Sequence, residues 1–207
     1  MGMINNTVSR LVFLVLLTGL PFICYGSSAT GTASTISFIK SSCSSTRYPT
    51  LCVQSLTSYA SAIQQNNKQQ LAQAALSESL VRAHAAKEYV AQSIKFRGLR
   101  AREYAAIKDC LEQMGDSVDR LSKSVEELKG MHMHPGKSNS NQPEFIWHVS
   151  NIQTWVSAAL TDVNTCFDGY SSKALNGKLK TSIRERVLNV AQVTSNALAL
   201  VNRFASS

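Results

Sequence analysis

Between Tyr104 and Leu128 the apolar residues fall at Tyr104, Ile107, Leu111, Met114, Val118, Leu121, Val125 and Leu128, in steps of three and four throughout. That spacing is the stripe of a bundle-forming helix, and it excludes a strand, which would alternate with period two. Between the stripe positions lie Lys108, Asp109, Glu112, Asp116, Asp119, Arg120, Lys123, Glu126 and Glu127, a solvated face of mixed sign. Gly130 follows at once and suits a left-handed helix stop. A helix of about 30 residues with one apolar stripe is marginal alone in water, so the chain must supply partners.

Three further stripes supply them. Ala72, Leu76, Leu80, Ala83, Ala86, Val90 and Ile94 mark a helix over roughly residues 68–96, with Gly98 turning the chain into the next. Pro143 opens a helix striped by Val149, Ile152, Val156, Ala159, Val163 and Cys166, and Gly169 closes it. After residues 171–177 come Ile183, Val187, Val190, Thr194, Ala197, Val201 and Phe204. The segment from Gly130 to Gln142 reads as an exposed connection. Short connections favour antiparallel neighbours, so residues 63–207 are expected to form an up-down-up-down four-helix bundle in an all-α chain.

Ahead of the bundle, residues 30–37 are small and polar and read as a flexible lead-in. Phe38 to Cys43 reads as a short helix, residues 44–47 as a turn, and Tyr48-Pro49 as the start of a second helix through Cys52, Leu56 and Tyr59. Residues 30–62 are thus an N-terminal helical hairpin, too small for a core of its own. The first 29 residues carry an apolar run from Leu11 to Ile23 followed by Gly26, Ser27, Ser28 and Ala29. That run is shorter than the roughly 20 residues a bilayer span requires, and the pattern is that of a signal peptide cut near Ala29. The mature chain is therefore expected to be secreted and to lack a membrane anchor.

Cys24 leaves with the leader, and Cys43, Cys52, Cys110 and Cys166 remain. Four cysteines in a secreted chain imply two disulfides, for which three connectivities exist. Neighbour pairing is favoured. Cys43–Cys52 would staple the hairpin, and Cys110 and Cys166 lie at matching levels of helices that run antiparallel. A zinc site lacks the usual Cys-x-x-Cys spacing or a histidine pair.

The net charge is +8, or +7 once Arg10 leaves with the leader. Its cations are dispersed, and Lys95, Arg97, Arg100 and Arg102 read as a solvated turn, so nucleic acid is not the expected partner. No phosphate loop, Gly-x-Ser-x-Gly elbow or His-Glu-x-x-His helix occurs, and His132 and His134 read as solvated loop residues. No catalytic residue, metal site or cofactor is expected. Periodicity and composition stop at a secreted, disulfide-bonded helical bundle that binds something.

Motifs go further. Cys43 and Cys52 with Tyr48-Pro49-x-Leu51-Cys52, the run Ala105-Ala106-Ile107-Lys108-Asp109-Cys110-Leu111-Glu112-Gln113-Met114-Gly115-Asp116-Ser117-Val118, and Thr154 to Asp162 followed by Thr165-Cys166-Phe167-Asp168-Gly169-Tyr170 together resemble the plant invertase and pectin methylesterase inhibitors, in their methylesterase branch. The resemblance spans about Phe38 to Phe204. It implies the same neighbour pairing of cysteines. It also implies a non-enzymatic monomer of the cell wall or apoplast that covers the pectin-binding cleft of pectin methylesterase in a non-covalent 1:1 complex. Carried over by motif, the contact face would comprise Glu112, Asp116, Thr165 and Asp168, with Ser157 and Thr161 as further candidates. Two alternatives stand beside it. One is inhibition of acid invertase, but the Pro-Lys-Phe of those inhibitors is missing from the loop Gly98-Leu99-Arg100-Ala101-Arg102. The other is direct binding of de-esterified pectin through the positive charge.

Overall fold

The computed structural model of the protein describes residues 28–64, 66–131, 142–169 and 177–206. Its elements are α1 (Ser28–Cys43), α2 (Pro49–Leu56), a 3-10 turn (Thr57–Tyr59), α3 (Lys68–Ser93), α4 (Ala101–Gly130), α5 (Pro143–Gly169) and α6 (Lys178–Ala205). No strand occurs among the described residues. Residues 1–27, which hold most of the expected leader and Cys24, the histidines 132 and 134, and residues 170–176 lie outside them, and the last two leader residues fall within α1.

Helices α3 to α6 form the expected four-helix bundle, in which each helix packs on its neighbour and α6 closes the ring against α3. Side-chain contacts fix every direction. Gln69 Nε2 donates to the carbonyls of Leu128 and Met131, while further along α3 Gln73 reaches back to Val125, so α3 and α4 are antiparallel. Cys110 meets Cys166, Arg120 meets Asp162, and Glu127 meets His148: as α4 advances, α5 retreats. Phe167 under Arg184 at one end of α5 and Phe145 against Phe204 at the other run α6 antiparallel to α5.

The α5 and α6 stripes are buried at every expected position. On α4 the buried set is Ile107, Cys110, Met114, Ser117, Val118, Leu121, Ser124, Val125 and Leu128. Relative to the expected stripe this face is rotated toward Cys110, which leaves Leu111 half-buried and Tyr104 49% exposed. Cys110, Ser117 and Ser124 recur every seven residues, so the buried serines lie on the side of α4 that the Cys110–Cys166 bridge ties to α5. Gly130 is also corrected. It is the last helical residue, its φ is not positive, and the chain leaves α4 through Met131 in extended geometry. Gly98 does sit at the expected turn into the next helix, and it does so with φ +87°, in the left-handed region. Glu103 in the first turn of α4 accepts the backbone N–H of Arg100 at 2.8 Å, and Asn67 caps α3 by accepting from Gln70 N at 2.9 Å.

At the N-terminus the expected lead-in over residues 30–37 is instead part of α1. Packing decides this against propensity. Thr35 and Ile39 are buried, Ile36 and Phe38 lie against the core, and Thr35 Oγ1 donates back to the Gly31 carbonyl at 3.0 Å. The hairpin of α1 and α2 is joined by Cys43–Cys52 and leans on α6. Asn196 of α6 grips it. Its Oδ1 accepts Tyr48 N at 3.0 Å and its Nδ2 donates to Tyr48 O at 2.9 Å. Arg82 of α3 adds a second tie, donating to Ser55 Oγ at 3.1 Å while also paired with Glu78 and Asn189. The core therefore divides into a cluster shared with the hairpin and a cluster around the second bridge, with Leu80 touching both.

Candidate functional site

The site expected from sequence lies on the pair α4 and α5. All six expected residues are exposed: Glu112 and Asp116 on α4, Ser157, Thr161, Thr165 and Asp168 on α5. Ser157, Thr161 and Thr165 follow at intervals of four, so they form one row along the helix. Thr161 Oγ1 donates to the Ser157 carbonyl at 3.1 Å, and Thr165 Oγ1 to the Thr161 carbonyl at 2.9 Å. Each hydroxyl proton is thereby committed within the helix. What the threonines offer a partner is a methyl group and an oxygen lone pair on a side chain already held in one rotamer.

Beside the Cys110–Cys166 bridge, α4 and α5 leave an open groove of about 410 Å³, lined by Arg102, Ala105, Ala106, Asp109, Gln113, Thr165 and Gly169. Of the six expected residues, Thr165 lines it. The alanines keep the groove open, and Arg102, Asp109 and Gln113 give it polar walls. With about 100° of turn per residue, Asp116 and Thr165 stay near the α4–α5 seam, whereas Thr161, Asp168 and Ser157 point successively further around α5 and Glu112 further around α4. The structure thus brings Asp116 and Thr165 to the seam and sets the other four on the flanks.

Further along the same seam Arg120 Nε stands 2.8 Å from Asp162 Oδ2. Asp162 is only 8% exposed. Burial pushes its carboxyl above the ordinary aspartate range, the Arg120 guanidinium opposes that, and the nearby Asp116 carboxylate adds to it. Burial and the Asp116 carboxylate thus disfavour the charged form of Asp162, and Arg120 makes it tolerable. Glu127, His148 and Asn151 continue the cross-links, with His148 Nδ1 2.8 Å and Asn151 Nδ2 3.2 Å from Glu127 Oε1.

Sequence reasoning missed Arg102, Asp109, Gln113, Arg120 and Asp162 as members of this seam. Only Asp162 gave a usable signal, being a carboxylate between Ala159 and Val163 of a buried stripe. Among the described residues no three His, Cys, Asp or Glu side chains are placed to hold a metal ion. The arrangement is one of shape and charge on two cross-linked helices, suited to docking a protein.

Comparison with known proteins identifies the family. The family model described as Plant invertase/pectin methylesterase inhibitor matches residues 37–200. The chain is 48% identical over 198 residues to the 21 kDa protein of Daucus carota, covering 96% of this chain and 95% of that one. It is 49% identical over 195 residues to Pectinesterase inhibitor 9 of Arabidopsis thaliana, covering 94% of this chain and 93% of that one. Mutant form A of a pectin methylesterase inhibitor from Arabidopsis shares its fold, with a TM-score of 0.59 at 22% identity over 82% of this chain and 96% of that structure. The chain belongs to the plant invertase/pectin methylesterase inhibitor family, in its pectin methylesterase inhibitor branch.

Proposed function

We propose that this protein inhibits pectin methylesterase in the plant cell wall, as a monomer that forms a non-covalent 1:1 complex through the α4–α5 face and so covers the enzyme's pectin-binding cleft. The observation that carries the reading is the Cys110–Cys166 bridge beneath an exposed row of polar side chains. A disulfide between the two helices that present the contacts fixes their spacing before docking, so little conformational freedom is lost on binding. Thr161 and Thr165 are pre-set in the same sense. The role needs no chemistry from this chain, which is not an enzyme. The leader expected over residues 1–29 would deliver it to the wall.

In the proposed complex Asp116 and Glu112 meet cations or amide donors of the enzyme, and Thr165 and the groove beside it receive an apolar or small side chain. The test is to titrate a plant pectin methylesterase and a plant acid invertase with the mature chain. Loss of esterase activity near one equivalent, with invertase unaffected, is the expected result. Loss of invertase activity alone would overturn the assignment of target, and no effect on several esterases would overturn the inhibitory role.

A further inference from the structure

The net charge is not spread evenly along the bundle. At the end where α3 hands over to α4 and α5 to α6, residues 95–108, 164–169 and 177–186 hold nine Lys and Arg against three Asp and Glu. At the opposite end, residues 66–74, 121–131, 142–152 and 197–206 hold four against three. The basic residues come from segments far apart in sequence, and only the fold assembles them. Ile94, Leu99, Phe167 and Leu179 all pack on one core cluster, so the turn before α4 and the first turn of α6 share one end of the bundle.

Two features make this end more than a solvated turn. Lys95, Arg97, Arg102 and Lys178 are exposed, and among them stand two exposed aromatics, Phe96 at 57% and Tyr104 at 49%. An aromatic ring kept in water beside cations loses hydrophobic stabilisation unless something covers it. Nearby, Arg184 lies 4.7 Å over the Phe167 ring and Arg186 4.1 Å over Tyr89, which holds both guanidiniums against the bundle wall. Cations for carboxylates and ring faces for the C–H faces of sugars are together the recognition chemistry of an acidic polysaccharide. Two exposed aromatics at separate points are fewer than a base-stacking platform uses along a nucleic-acid strand.

We infer that the basic end of the bundle, around Lys95, Phe96, Arg97, Tyr104 and Lys178, binds polyuronate, the de-esterified pectin that a methylesterase leaves behind. The identity of the polyanion rests on the inhibitory reading above; the location of the site does not. The surface adjoins the α4–α5 groove through Arg102. It would hold the inhibitor where carboxylates accumulate, which is where the enzyme has been working.

The experiment measures binding of the mature chain, without enzyme, to polygalacturonate and to fully methyl-esterified pectin, with dextran sulfate and a short single-stranded DNA as other polyanions. Retention on polygalacturonate that falls steeply with salt, and none on the esterified polymer, is expected. The triple variant Lys95→Gln/Arg97→Gln/Lys178→Gln should bind at least tenfold more weakly. Lys68→Gln/Lys123→Gln/Lys129→Gln, which loses equal charge elsewhere, should bind within about twofold of the parent. Phe96→Ala should weaken polygalacturonate binding several-fold with an unchanged salt slope, and leave dextran sulfate binding alone. Equal losses in both triple variants, or indifference to Phe96→Ala, would reduce the effect to ion exchange and overturn the inference. Tighter binding to the DNA than to polygalacturonate of equal charge would overturn the ligand. Melting temperatures check that the variants fold. Methylesterase inhibition, assayed on a short neutral ester, should be unchanged in them, so failure of the inhibitory reading and failure of this one are separable.

Discussion

Arg120 on α4 and Asp162 on α5 face each other across the proposed docking seam, with Nε 2.8 Å from Oδ2, yet neither atom makes a well-aligned hydrogen bond. The contact is one of charge. It lets a carboxylate that is 8% exposed sit beside Asp116, and it ties the stability of the seam to pH.

The direction follows from the raised folded-state value of Asp162. The folded chain holds this proton to higher pH than the unfolded chain does. The contribution is therefore fully present below the ordinary aspartate value and is lost as pH rises through the raised one. Asp162→Asn should lack that decline. Urea midpoints for parent and variant, taken at intervals from pH 3.5 to 7, should diverge in the variant's favour as pH rises. A constant difference would show that Asp162 titrates normally.

The two bridges should differ in worth because they close loops of different length. Cys110–Cys166 spans 56 residues and Cys43–Cys52 spans 9. Loop-closure entropy gives about 4 kcal/mol for the first and about 2.5 kcal/mol for the second. Double alanine variants of each pair, unfolded in urea, should show that order. The reverse order would mean that the hairpin staple stabilises through contacts on α6 and not through the unfolded chain.

What could be read from the sequence follows from what period reports. The α5 and α6 stripes were legible position by position, because period three and four is the direct imprint of a buried helix face. The rotation of α4 was not, since Ser117 and Ser124 carry no apolar signal, yet both are buried, seven and fourteen residues on from the bridged Cys110. Helix α1 was misread over residues 30–37 for a related reason: small polar residues form helix there because Thr35 and Ile39 find a wall to pack on. For the candidate face, the exposed residues could be named from motif, but not their grouping. Which of them meet Asp109, Gln113 or Arg102 depends on the α4–α5 register, which stripe spacing alone leaves undetermined. Likewise Lys95 read as part of a solvated turn and Lys178 as one of the dispersed cations until the fold put them at one end.

Asn196 reaches from α6 to both polar groups of the Tyr48 backbone, and it is 3% exposed. Asn196→Ala leaves the Tyr48 N–H without the partner that satisfies it, while the Tyr48 carbonyl keeps the Cys52 N–H at 2.9 Å, a loss of about 1–3 kcal/mol. The effect should be local. Hydrogen exchange over residues 36–59 should quicken well before that of α3 to α6. If exchange instead rises evenly across the chain, the hairpin and the bundle unfold as one unit.

Glu112 and Asp116 lie one turn apart on α4, both exposed and neither on a buried face. Reversing them should therefore leave folding alone: the melting temperature of Glu112→Lys/Asp116→Lys should stay within about 3 °C of the parent, since exposed substitutions away from packing shift stability by about 0.5 kcal/mol or less. Inhibition should behave differently. If these carboxylates meet donors of the enzyme, reversal replaces attraction by repulsion at the interface, and potency should fall at least tenfold, about 1.4 kcal/mol. Asp116→Lys alone should account for most of the loss, because Asp116 lies at the seam whereas Glu112 flanks it. As a check on geometry, Thr165→Arg should fill the groove beside the bridge and weaken inhibition by a similar factor without touching either charge. Loss in the Thr165 variant with none in the charge variant would place the contact on the α5 side of the groove. Full potency in both would remove the α4–α5 face from the complex.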